Sequence, residues 1–135
     1  GKEISTSEIW EIFHTNFVMP KSGHSFKNYS LKTSDATDVS DHIKAEIEID
    51  GKNHEISGSG NGPIDAFVNA LNQKLSIDIK VSDYHQSAIS SGSDAQAAAY
   101  IELQKGEKTS WGVGINRNTT KASFEAIIVG VAKLI

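Results

Sequence analysis

Ile43, Ala45, Ile47 and Ile49 alternate with Lys44, Glu46 and Glu48, the clearest strand pattern in the chain. A strand patterned in this way buries one face and wets the other, as in an antiparallel sheet. Asp50-Gly51 follows, a pair suited to the left-handed angles of a tight hairpin turn. Residues 52–57 then return as the partner strand, with His54 and Ile56 on one face. Before the pair, residues 25–34 read as another strand carrying Phe26 and the alternating Tyr29 and Leu31, and the polar, acidic residues 34–41 read as a loop. A sheet with one apolar face needs a cover. The helical stripe Ile64, Phe67, Val68, Leu71 and Leu75 provides one, with Pro63 at the first helical position, where its missing N–H is harmless.

The second half repeats this order. Ile77, Ile79 and Val81 alternate as a strand running on toward Ile89. Residues 94–105 form a strand with Ala95, Ala97, Ala99, Ile101 and Leu103 on one face. Residues 106–108 turn, and residues 109–115 return with Trp111, Val113 and Ile115 alternating. Thr119 or Thr120 caps a last helix carrying Phe124, Ile127, Ile128, Val131 and Leu134. A shift of 57 residues lays Asn61 on Asn118 and Phe67 on Phe124. The expected fold is therefore α+β: two βββα units related by a pseudo-twofold axis. One such unit is small for independent stability, and two can merge their cores.

Ahead of the first unit, Ser5 or Thr6 caps a helix with apolar positions Ile9, Ile12, Phe13 and Phe17 and early carboxylates Glu8 and Glu11. It stops before Met19-Pro20, because the residue preceding proline avoids the α region. The division is then an N-terminal linker helix over residues 1–24 and one domain over 25–135, with units of about 25–75 and 76–135.

Bulk properties narrow the function. A net charge of −4 supplies no field for nucleic acid or an anionic membrane. The absence of cysteine excludes disulfides, thiolate metal sites and a cysteine nucleophile, and fits a cytoplasmic location. No apolar run is long enough to span a bilayer and no secretory signal opens the chain, which begins at Gly1 as an excised piece would. His14, His24, His42, His54 and His85 show no metal-ligand spacing, and no nucleophile elbow or phosphate loop is present, so no catalytic or metal residue is assigned.

Two stretches stand out. The glycine-rich residues 58–63 turn from strand into helix, where glycines admit a ligand to the backbone and free N–H groups suit a carboxylate; Asn61 is suited to cap the helix. Residues 83–89 and then 92–100 put alanines on a strand, which implies that a helix, a partner subunit or a small ligand fills the space.

The segments GSGNGPIDAFVNAL, DYHQSAISSGSDAQAAAYIEL and WGVGI, with an Ala-Ser pair in the last helix, resemble the C-terminal regulatory domain of 2-isopropylmalate synthase, a family shared with citramalate synthase. The resemblance runs from Ile43 to the C-terminus, and the preceding segment is similar to the family's helical linker. It implies feedback inhibition by leucine, or by isoleucine in citramalate synthases, with the effector near the interface of a homodimer. It places Gly60, Asn61, Gly62, Pro63, Ile64 and Asp65 around the effector, Val81, Tyr84 and Ala88 along the pocket, and Asp94, Ala95 and Ala97 closing it. The start of the helix at Gly62 suits the effector carboxylate, and either Asp65 or Asp94 faces its ammonium. Many relatives carry histidine where this chain has Ser87, and its own histidine is His85. The family's chemistry uses a TIM barrel with a divalent metal on a His-x-His site, and both are missing from this sequence. The domain therefore needs no cofactor of its own. The alternative is a dimerisation module without an effector.

Overall fold

The structure is a computed structural model that describes residues 5–33, 41–89 and 92–135. Helix α1 spans Thr6–Phe13, with Ser5 as its cap accepting the Glu8 N–H at 3.2 Å, and continues as a π-helical segment, His14–Val18. It ends at Met19, which is extended ahead of Pro20 as expected. The apolar positions on α1 are present but uncovered: none of its residues is buried. The π-helical segment reaches the body through Lys133, whose Nζ donates to the Asn16 carbonyl at 2.7 Å and the Trp111 carbonyl at 2.9 Å.

Strands β1 (Ser25–Thr33), β2 (Asp41–Ile49) and β3 (Lys52–Gly60) form one antiparallel sheet, and helix α2 spans Pro63–Leu75. The β2–β3 turn takes φ of 51° at Asp50 and 77° at Gly51, the hairpin geometry read from the sequence. Buried His24 closes the approach to β1 over this turn, with Nε2 3.3 Å from Asp50. Of the loop expected at residues 34–41, only Asp41 lies within the described residues, and it begins β2.

The second unit has β4 (Lys80–Ala88), β5 (Ala97–Lys105), β6 (Lys108–Asn116) and helix α3 (Thr119–Ala132). The βββα order is thus realised twice. The repeat register differs from the expected 57: Asp41–Ile49 matches Ala97–Lys105, Lys52–Gly60 matches Lys108–Asn116, and α2 and α3 begin at Pro63 and Thr119, all at 56. Helix-on-sheet contact sets that register. A Cβ on Gly58 would meet the backbone of Ala66 and Ala70, and one on Gly114 would meet that of Ala122 and Ala126, the same atoms one repeat later.

Three expectations need correction. Ile77 and Ile79 precede β4 rather than belonging to it; the Asn72 side chain bonds both the N–H and the C=O of Ile79, at 2.9 and 3.0 Å, in place of a strand partner. Asp94 and Ala95 lie in the turn before β5, with the Ala95 N–H bonded to the Gly92 carbonyl. Trp111, Val113 and Ile115 do form one face of β6, but α3 lies on the other, against Ser110, Gly112 and Gly114.

The two units share one core. Ile43, Ile47 and Leu71 of the first belong to the same buried cluster as Ile101, Leu103 and Ile127 of the second. Phe67 and Phe124 stack at 4.3 Å at the join. Helix α3 is buried on nearly every side, touching β5, β6, β1 and α2. Among the described residues no helix is long and apolar enough to cross a membrane.

Candidate functional site

The glycine-rich stretch divides into two jobs. Gly58 and Gly60 are strand residues paired with Ile43 and Asp41, so their missing side chains serve the close approach of α2. The turn proper is residues 61–62. Gly62 is the N-cap of α2 with φ 107°, a conformation side chains resist, and Pro63 follows at the first helical position. Asn61 does not cap the helix. Its main-chain N–H donates to Asp65 Oδ2 at 2.9 Å, which fixes the turn. In the second unit Asn118 takes the capping position and accepts from the Lys121 N–H at 3.0 Å.

This turn opens onto a cavity of about 490 Å³ between α2 and the segment leading into β4. That volume lies in the range of small-molecule sites, roughly 300–1,000 Å³. Ile64, Val68 and Val81 form its apolar wall, and Asn61, Asp65 and Asp78 its polar rim. Asn72 at its base is committed to Ile79, which holds the wall in place. A larger concavity of about 630 Å³ spreads over exposed strand residues Lys32, His42, Lys44 and Ser57 of the first sheet. Leu31 and Ile43 line it beside these polar and charged groups, but none of the site residues expected from the sequence does.

Of the residues singled out from the sequence, the structure brings Asn61, Ile64, Asp65 and Val81 together in this cavity, beside Gly60 at the end of β3, Gly62 in the turn and Pro63 at the start of α2. The others lie further along the second sheet. Tyr84 and Ala88 share the face of β4 that carries Val81, since Val81, Tyr84 and Ala88 pair with Leu103, Ile101 and Ala97. The Tyr84 hydroxyl is 3.4 Å from buried Ser123 Oγ, while the residue as a whole is 39% exposed. Ala97 faces Ala88 across the ladder and Asn116 on its other side. Asp94 pairs with Arg117 at 3.7 Å on the surface, and neither Asp94 nor Ala95 lines the cavity. Ser87 and His85 point from the opposite face of β4, where they pair with Ala98 and Tyr100, and His85 is held by Asp83 at 3.2 Å.

Val68, Asn69, Asn72, Asp78 and Lys80 line the cavity without having been singled out as site residues. Val68 had a signal: it is one helical turn beyond Ile64 and so shares its face. Asp78 and Lys80 had none, because their segment read as strand.

Residues 3–135 match the family described as "LeuA allosteric (dimerisation) domain". The 2-isopropylmalate synthase of Parafrankia sp. (strain EAN1pec) is 40% identical over 134 residues, covering 97% of this chain and 23% of that protein. Its counterpart from Mycobacterium ulcerans (strain Agy99) is 40% identical over 131 residues, covering 97% and 23%. That from Mycobacterium leprae (strain TN) is 37% identical over 131 residues, covering 97% and 21%. The chain thus spans less than a quarter of the length of these relatives.

Proposed function

Because the chain belongs to the LeuA allosteric (dimerisation) domain family, we propose that it binds leucine and conveys feedback inhibition to a 2-isopropylmalate synthase of which it is the regulatory part. The observation that carries this reading is the cavity at the start of α2, apolar along Ile64, Val68 and Val81 and polar at Asn61, Asp65 and Asp78. A free amino acid needs an anion site, a cation site and a slot for its side chain. The first N–H groups of α2, at Ile64 and Asp65, suit the carboxylate. Asp65 and Asp78 stand where an ammonium would be met. Asp94, exposed and paired with Arg117, is the poorer partner within one chain.

Tyr84, Ala88, Asp94, Ala95 and Ala97 lie on an adjoining surface rather than in the cavity. In this reading they complete the pocket when two copies associate, so the effector sits at a homodimer interface. The exposed side chains of Tyr84 and Ile89 support an unfinished surface there. Inhibition requires that leucine bind two states of the parent enzyme with unequal affinity. The catalytic work, the divalent metal and the TIM barrel belong to the remainder of that enzyme, which we place in the cytoplasm. Neither nucleic acid nor membrane is a partner.

Calorimetric titration with leucine and with isoleucine tests the proposal. Tighter binding of leucine supports it, and tighter binding of isoleucine assigns the domain to a citramalate synthase. No heat from either at millimolar concentration overturns the sensing role. Tyr84→Ala should abolish the thermal stabilisation conferred by leucine while leaving the dimer largely intact in sedimentation; loss of the dimer with it would make Tyr84 a subunit contact and favour the dimerisation module without an effector.

A further inference from the structure

The cavity has a filled counterpart on the other side of the molecule. β1 and β4 match at an offset of 55, Ser25–Thr33 on Lys80–Ala88, one less than the offset of the other elements. Both strands break register at the same place, between Phe26 and Asn28 and between Val81 and Asp83. Under this match Phe26 falls on Val81 and Tyr29 on Tyr84. At the offset of 56 that relates the two helices, Phe124 falls on Val68.

The matched pairs fall where a strand of one unit approaches the helix of the other, but β1 packs directly on α3, whereas β4 and α2 come together only across the cavity. In the first join Phe26 and Tyr29 of β1 lie 5.6 and 5.1 Å from the Phe124 ring on α3, with Tyr29 edge-on. In the second, Val81 and Val68 face the 490 Å³ cavity. Two phenyl rings present on one side are thus replaced by two isopropyl groups on the other. The bulge and the helix are retained, and α2 and β4 stand apart with an open groove between them.

We infer that Val68 is the residue that sets which effector side chain fits, the ligand standing where Phe124 stands in the filled join. This rests on the reading above that the cavity takes a free amino acid. A branched aliphatic side chain occupies the vacancy between Val68 and Val81, and an aromatic one requires a smaller residue at 68. Tyr84, kept as tyrosine in both joins, is not the residue that distinguishes the vacant join from the filled one.

The test uses this chain, Val68→Phe and Val68→Ala, with circular dichroism to establish folding. Without ligand, Val68→Phe should unfold at the same temperature as the parent chain or higher, since the ring enters empty space. Its affinity for leucine should fall about 100-fold or more, and Val68→Ala should weaken leucine about tenfold while gaining affinity for phenylalanine. Leucine binding by a folded Val68→Phe within about twofold of the parent overturns the inference. So does a lowered unfolding temperature for that variant, which would mean that the space is already filled. If the unsubstituted chain binds neither leucine nor isoleucine, the effector reading itself fails, an outcome seen before any variant is compared.

Discussion

At Gly114 a single hydrogen atom in place of a side chain decides how close α3 comes to its sheet. A methyl group there would collide with the Ala122 carbonyl, which is backbone and cannot swing aside. Gly114→Ala is therefore expected to push α3 outward and destabilise the chain by about 3 kcal/mol, as overpacked cores do. Urea unfolding followed by circular dichroism would measure it. The sequence displayed Gly112 and Gly114 plainly, yet Trp111, Val113 and Ile115 looked like the core side of the strand. A two-residue period separates two faces; it does not say which one a helix will approach at backbone distance. The approach of α3 requires glycine, so the small residues mark the face that α3 covers, while buried Val113 and half-buried Trp111 and Ile115 lie on the other.

Elements were legible where their pattern was local. β2 and the hairpin into β3 follow from alternation and from Asp50-Gly51, and α2 from its stripe and Pro63. Legibility failed at the starts of β4 and β5: alternation at Ile77 and Ile79 does not reveal that Ile77 donates to the Asn72 carbonyl and that the backbone of Ile79 is bonded by the Asn72 side chain, both on α2. That side chain, Asn72, holds the segment forming one wall of the cavity. Asn72→Ala would leave the N–H and C=O of buried Ile79 without partners, at a cost of roughly 2 kcal/mol. Asn72→Asp, which still accepts from the N–H but no longer donates to the carbonyl, should fall between the two in thermal unfolding.

For the whole molecule, the join of the two units determines both stability and the place of the vacancy. Phe124 stacks on Phe67 of the first helix and touches Phe26 and Tyr29 of the first sheet. Phe124→Ala should cost roughly 4 kcal/mol. Because the core is continuous, the chain should still unfold in one step, with circular dichroism and the fluorescence of Trp111, read in a Trp10→Phe background, coinciding. Two separated transitions would show that the units are independent.

Residue order alone dictated the twofold βββα plan, the helix ahead of it and the glycine-opened turn before α2, since each depends on periodicity, capping or turn chemistry within a few neighbours. Packing alone decided which residues meet across the units: that Val68 and Val81 face one another over open space while Phe26 and Phe124 touch, and that Asp94 stands apart from Asp65. Such pairings join positions dozens of residues distant, and a repeat read one residue out of register aligns Phe67 with Phe124 and hides the substitution that leaves the cavity.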